Sequence, residues 1–294
     1  MPLYINAENQ IMSNGMSRHL GSWFGRLRRG LAGALPLVAV FAALGSAAEV
    51  SLAAENQSIT YAFYPYPPIA MMVGDKRSGY ATEIMTEALL RAGFDVHETD
   101  LPGLRALASI EKEAGIFIAG TKTPEAYDKY DVVWPFCFET VTHAVIVRAN
   151  NASGSFAELP RIARVGAFIS YTLKDYLAQQ GFKNLQFVRE NRQLAEMLMS
   201  DRIDAWASFD SSARFLLEDM GVDLGSIRSL PIKQFSFCAV TSRKTERSVL
   251  NRVKAAYKSM IADGTRAAIR ARYQRYLGAD LPPDPATWEL RPEP

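Results

Sequence analysis

Three histidines and two cysteines are the side chains best suited to metal or nucleophilic chemistry in this sequence. His19, His97 and His143 lie far apart, with none of the short ligand spacings that zinc sites use. A glycine-rich phosphate loop and a Gly-x-Ser-x-Gly nucleophile turn are both missing from the sequence. Cys137 and Cys238 can pair in an oxidising compartment if the fold brings them together, or remain as inert buried thiols, and their positions alone do not choose. The expectation is therefore a protein that is not an enzyme and needs no cofactor or metal. What remains is the chemistry of recognition, carried by hydroxyls, aromatic faces and single charges. These cluster in four short stretches, YPYPP at 64–68, GTKTP at 120–124, ISYT at 169–172 and FDSS at 209–212.

The elements between those stretches alternate strand and helix. Ile59, Tyr61 and Phe63 alternate with Thr60 and Ala62, which predicts a strand, and the prolines after it forbid helix and force an extended loop. Ile84, Ala88 and Leu89 recur at helical spacing within 81–92, with Gly93 as a natural stop. Short strands follow at 96–99 and 116–119, with a helix at 104–113 between them. The second half repeats this alternation, with strands at 163–168, 186–188 and 205–208 and helices at 170–180 and 193–200. Two β-rich runs, 140–148 and 235–241, stand where the chain could cross from one block to the other and return. Helices at 248–263 and 264–276 close the fold, and a proline-rich tail occupies 278–294. In open α/β sheets ligands sit beyond the carboxyl ends of strands, so the four strand-to-helix loops above are the places to look.

With 294 residues, 48% of them apolar, the chain can bury a full core. Arg26, Arg28 and Arg29, an apolar run from 31 to 44 and the small residues Gly45, Ser46, Ala47 and Ala48 follow one another in the order of a secretory signal peptide. The expected signal is 1–48, with cleavage after Ala48 or Ala54. Pro36 interrupts an apolar run too short for a membrane anchor. The body that remains is close to neutral and has no basic run, which argues against a nucleic-acid partner. No cysteine stands near either cleavage site, so the expected product is a soluble periplasmic protein.

In order along the chain, the YPP loop, GDKRSGYATEI, LPGLRALASIE, GTKTPEAYDKYDVVWPF, HAVIVR, VGAFISYTLKDYL, SDRIDAWAS, FSFCAVTSRK and IADGTRAAIRARYQRYLG resemble the type II periplasmic solute-binding proteins of family 3, the branch with the polar amino acid receptors. The resemblance implies an α/β fold of two lobes, each a mixed sheet flanked by helices, joined by two hinge strands. Lobe 1 is expected from 55–138 and 237–277, and lobe 2 from 139–236. It implies a monomer that captures a small polar solute, amino acid-like or an organic acid, and passes it to the membrane permease of an ABC-type transporter. A lyase or dehydratase on the same fold, and a ligand-sensing partner of a membrane signalling protein, are the alternatives.

The resemblance also assigns residues. Tyr66, and less directly Tyr64, match an aromatic that covers the apolar part of the ligand. Thr121 matches a hydrogen-bonding position. Relatives commonly place a carboxylate-gripping arginine where this chain has Ala126, so Lys122 or Arg105 would have to supply the cation. Ser170 and Tyr171 open a helix whose free N–H groups attract an anion, although Ser170 also suits a plain N-cap. The ammonium-binding aspartate is expected five residues after Asp204. That position is Phe209, and Asp210 follows it. Since Cys137 and Cys238 flank the expected hinge, a structural disulfide is preferred to a nucleophile.

Overall fold

Side-chain alternation and helical spacing place most elements where the sequence suggests. The computed structural model describes residues 57–101, 103–123, 130–169 and 174–277; the expected signal peptide and tail lie outside the described residues. The first half runs β1 (Ser58–Phe63), β2 (Met71–Val73), β3 (Lys76–Ser78), α1 (Tyr80–Arg91), β4 (Asp95–Asp100), α2 (Gly103–Lys112), β5 (Ile116–Thr121) and β6 (Val132–Val133). The middle contains β7 (Cys137–Arg148), β8 (Arg164–Phe168), α3 (Lys174–Gln179), β9 (Asn184–Val188), α4 (Asn191–Met199), β10 (Ala205–Phe209) and α5 (Asp210–Asp219). The chain returns through β11 (Ile227–Ser242) and closes with α6 (Arg247–Ala262) and α7 (Thr265–Tyr273).

The main path of the sheet has the order β4-β1-β5-β11-β7-β10-β8-β9, with β6 paired to β11 off that path. Parallel pairs β1–β4 and β1–β5 form one wing, and parallel pairs β8–β9 and β8–β10 form the other. Between them, β7 and β11 run antiparallel along most of their length. Each wing is therefore a small α/β unit of parallel strands and helices. Ile84, Met85, Ala88 and Leu89 of α1 are fully buried against the first wing. In the second, Trp206 of β10 packs with Leu194 and Leu198 of α4 and with Leu217 of α5. Completely buried strand residues such as Val145, Val165 and Ala207 fit sheets covered on both faces.

The two crossing strands are longer than the sequence suggests. Pro231 lacks a ladder donor, and it and Lys233 make the start of β11 read as loop, yet the strand tolerates both at a register shift between Pro231 and Lys233. The hairpin of β2 and β3 and the helix α5 are not marked by periodicity. The hairpin strands are too short to show alternation, and α5 opens on Asp-Ser-Ser, residues that favour caps and turns.

Candidate functional site

Tyr66 sits in the loop after β1, held from both sides. Its N–H donates to the Ala70 carbonyl at 2.7 Å, and the Ala70 N–H donates back to the Tyr66 carbonyl at 3.0 Å. The Pro67–Pro68 peptide bond is cis. The first N–H groups of α1 complete the anchorage, with Tyr80 donating to Pro68 O at 3.1 Å and Ala81 to Ile69 O at 2.9 Å. Gly79 makes this approach possible. Its φ is 108°, and a Cβ there would lie 2.6 Å from Ile69 O.

From this fixed base the Tyr66 side chain crosses to the other wing. Its hydroxyl is 3.2 Å from Ser208 Oγ of β10. The Asn191 side chain at the start of α4 and the backbone of Phe209 lie beside that hydroxyl. The ring meets Phe168 edge-on at 5.9 Å between centroids and Phe209 at 4.9 Å with a 54° tilt. Phe209 in turn touches His143 of β7 at 4.5 Å and Phe237 of β11 at 6.0 Å. Burial pushes the Tyr66 phenol well above its ordinary pKa, so it stays protonated. Burial also holds the His143 imidazole down at about 3, so it is neutral at physiological pH.

The packing leaves little room. A cavity of about 10 Å³ remains beside Tyr61, Tyr64, Tyr66, Ala119, Phe209 and Phe237, about the space of a single water. A solute of amino acid size enters this region only if side chains move.

Of the residues expected to bind ligand, Tyr64 and Tyr66 meet here. Thr121 ends β5, almost buried and opposite Phe237. The Lys122 N–H donates to Ser236 O at 2.9 Å, which ties its backbone to β11. Asp210 opens α5 and accepts from Arg214 Nε at 2.7 Å through Oδ2, while Oδ1 is buried with no hydrogen-bond partner among the described residues. Neither Thr121, Lys122 nor Asp210 lines the cavity. Arg105 falls within α2 but its side chain lies outside the described residues, as do Ser170, Tyr171 and Ala126. Cys137 and Cys238, opposite each other on β7 and β11, are joined by a disulfide and fully buried.

Sequence reasoning did not single out Ser208, Asn191, Phe168 or Phe237 as neighbours of Tyr66, nor His143 as a neighbour of Phe209. Only Phe209 gave a signal, by standing where a carboxylate is expected. The assembled groups are neutral donors and acceptors set in aromatic walls, which suits selection by hydrogen bonding and ring packing. Among the described residues no cluster of His, Cys, Asp and Glu is placed to hold a metal, and no helix is long and apolar enough to cross a membrane.

Among curated proteins no relative matches. Solved structures share the fold at low identity. A substrate-binding protein of an ABC uptake transporter from Streptococcus pneumoniae, with bound histidine, is 18% identical with a TM-score of 0.66, covering 77% of this chain and 95% of that one. A histidine kinase sensor domain with similarity to periplasmic binding proteins is 16% identical, with a TM-score of 0.66 and coverage of 77% and 98%. The arginine-, lysine-, histidine-binding protein ArtJ from Geobacillus stearothermophilus is 13% identical, with a TM-score of 0.65 and coverage of 76% and 97%. These likenesses establish a two-lobed architecture, and the family model that matches residues 59–276 settles the membership: this chain belongs to the bacterial extracellular solute-binding proteins, family 3.

Proposed function

We propose that the protein is an exported receptor that captures a small solute between its lobes and delivers it to the permease of an ABC-type uptake transporter. The observation that carries this reading is the pair of crossing strands, β7 and β11, with Tyr66 of one wing meeting Ser208 and Phe209 of the other. A solute that bridges the wings stabilises the closed arrangement by its contacts with both. The basic, apolar, small-residue order of the first 48 residues supports export to the periplasm. Membership of an extracellular family agrees with that direction. The functional lobes are assigned as 55–138 with 237–277, and 139–236.

A thermal-shift and calorimetric screen against amino acids, amines, organic acids, phenols and sugars tests the proposal. One class should raise the unfolding midpoint and bind without being consumed, because a ligand present at about 100 times its Kd stabilises the folded form by about 2.7 kcal/mol. Turnover of the bound solute would replace the receptor reading with an enzymatic one. Failure of every class to bind would remove it.

A further inference from the structure

The second wing offers Tyr66 a built recess. Ser208 Oγ, the Asn191 side chain and the Phe209 backbone surround the phenol oxygen, and Phe168 and Phe209 flank the ring. Two helices begin beside it, α4 at Asn191 and α5 at Asp210, and neither has a side-chain hydrogen bond from its N-cap residue. Asn191 Oδ1 is buried with no hydrogen-bond partner among the described residues, in a residue only 6% exposed. Polar capacity thus remains after Tyr66 has made its contacts. The side chains that hydrogen-bond Tyr66 or pack on its ring, Ser208, Phe168 and Phe209, are uncharged.

A tyrosine side chain held this way shows what the recess recognises. Tyr66 is 5% exposed and comes from the opposite wing, where it belongs to the wall a solute would have to face. The cavity of about 10 Å³ beside Tyr66 does not admit an aromatic ring until Tyr66 leaves. We infer that Tyr66 is an internal stand-in for the ligand, occupying a recess on the second wing specific for a neutral hydroxylated aromatic group, so that the solute is a phenol-bearing molecule that displaces it. The inference rests on reading the region between the wings as the ligand site. It adds the class of ligand and the residue that competes with it. The ring of the solute packs against Phe168 and Phe209, and its hydroxyl takes over the bond to Ser208. Tyr66 sets selectivity by making every entrant compete with a phenol already in place.

The test compares wild type, Tyr66→Phe, Tyr66→Ala and Tyr66→Ala/Ser208→Ala by calorimetry and thermal shift. The probes are p-cresol, which copies the lost side chain, toluene, which lacks only the hydroxyl, 4-hydroxyphenylacetate, and the twenty amino acids. In Tyr66→Ala, p-cresol should bind roughly five-fold tighter than toluene, the scale of one neutral hydrogen bond, and this preference should vanish when Ser208 is also removed. In Tyr66→Phe, which retains the ring and so guards against a variant that does not fold, 4-hydroxyphenylacetate should bind roughly five-fold tighter than to wild type because the competing hydroxyl is gone. Equal binding of p-cresol and toluene, or no gain in Tyr66→Phe, overturns the inference. Tight binding of a non-aromatic amino acid to wild type, with phenols inert, overturns the ligand class and leaves the receptor standing. Absence of binding by every probe in every variant overturns the inference, while the receptor reading falls only if the wider screen of amines, organic acids and sugars also fails.

Discussion

Glu139 and Arg270 form an ion pair inside the protein, with Arg270 Nε 2.9 Å from Glu139 Oε2 and side chains only 2% and 7% exposed. Arg270 belongs to the C-terminal helix α7, and Glu139 to the start of the crossing strand β7. Arg266, one turn earlier on α7, donates to the Phe138 carbonyl at 3.0 Å, and the Tyr80 hydroxyl donates to the same oxygen at 2.9 Å. The last helix thereby grips the strand that leads from one wing to the other.

Removing one partner should be costly. Arg270→Met leaves the Glu139 carboxylate buried without its ion pair, and breaking such a pair costs about 3–5 kcal/mol. Glu139→Leu combined with Arg270→Met should recover only part of that loss, because Arg266, whose charge also acts on Glu139, stays buried after the carboxylate has gone. Urea unfolding of both variants checks the expectation, and a single substitution costing under about 1 kcal/mol would contradict it.

The disulfide should contribute chiefly through the unfolded chain. Cys137 and Cys238 are 101 residues apart in sequence, and closing a loop of that size stabilises a fold by about 4.7 kcal/mol in the chain-entropy model. Cys137→Ala with Cys238→Ala should lower the calorimetric midpoint by about 10 °C or more. An unchanged midpoint would show that the loop is already constrained without the bond.

His143 should give the fold a dependence on pH. Its folded pKa is held down to about 3 by burial, while an unfolded histidine titrates near about 6.5. Between those values the unfolded chain binds a proton that the folded one refuses. Stability contributed by this group is therefore fully present above about pH 6.5 and declines as pH falls, with a slope of at most about 1.4 kcal/mol per pH unit. Replacing His143 by Phe, which keeps an aromatic beside Phe209 and Phe235, should flatten that part of the profile. Urea midpoints from about pH 7 to about pH 4 provide the measurement, and parallel profiles for the two proteins would refute it.

Much of the fold is legible in the sequence because its signals are local. The alternation of Ile59, Tyr61 and Phe63 and the helical spacing of Ile84, Ala88 and Leu89 are properties of short windows, and both appear as buried faces in the structure. The extent of β11 is not legible, since only pairing with β7 rescues a segment that carries Pro231 and Lys233. The candidate site is less accessible still. Tyr66 and Ser208 are separated by 142 residues, and nothing in either neighbourhood announces the other. Asn191 reads as an ordinary helix start and Phe237 as an ordinary strand residue. Their convergence is set by the order of strands, and residue spacing does not encode it.

The continuous path of the sheet bears on how the molecule comes apart. Because β11 pairs with β5 of one wing, β7 pairs with β10 of the other, and the two pair with each other, melting either wing alone would leave a raw sheet edge on the crossing strands. Partial denaturation is thus penalised from both sides, which favours joint melting of the two wings.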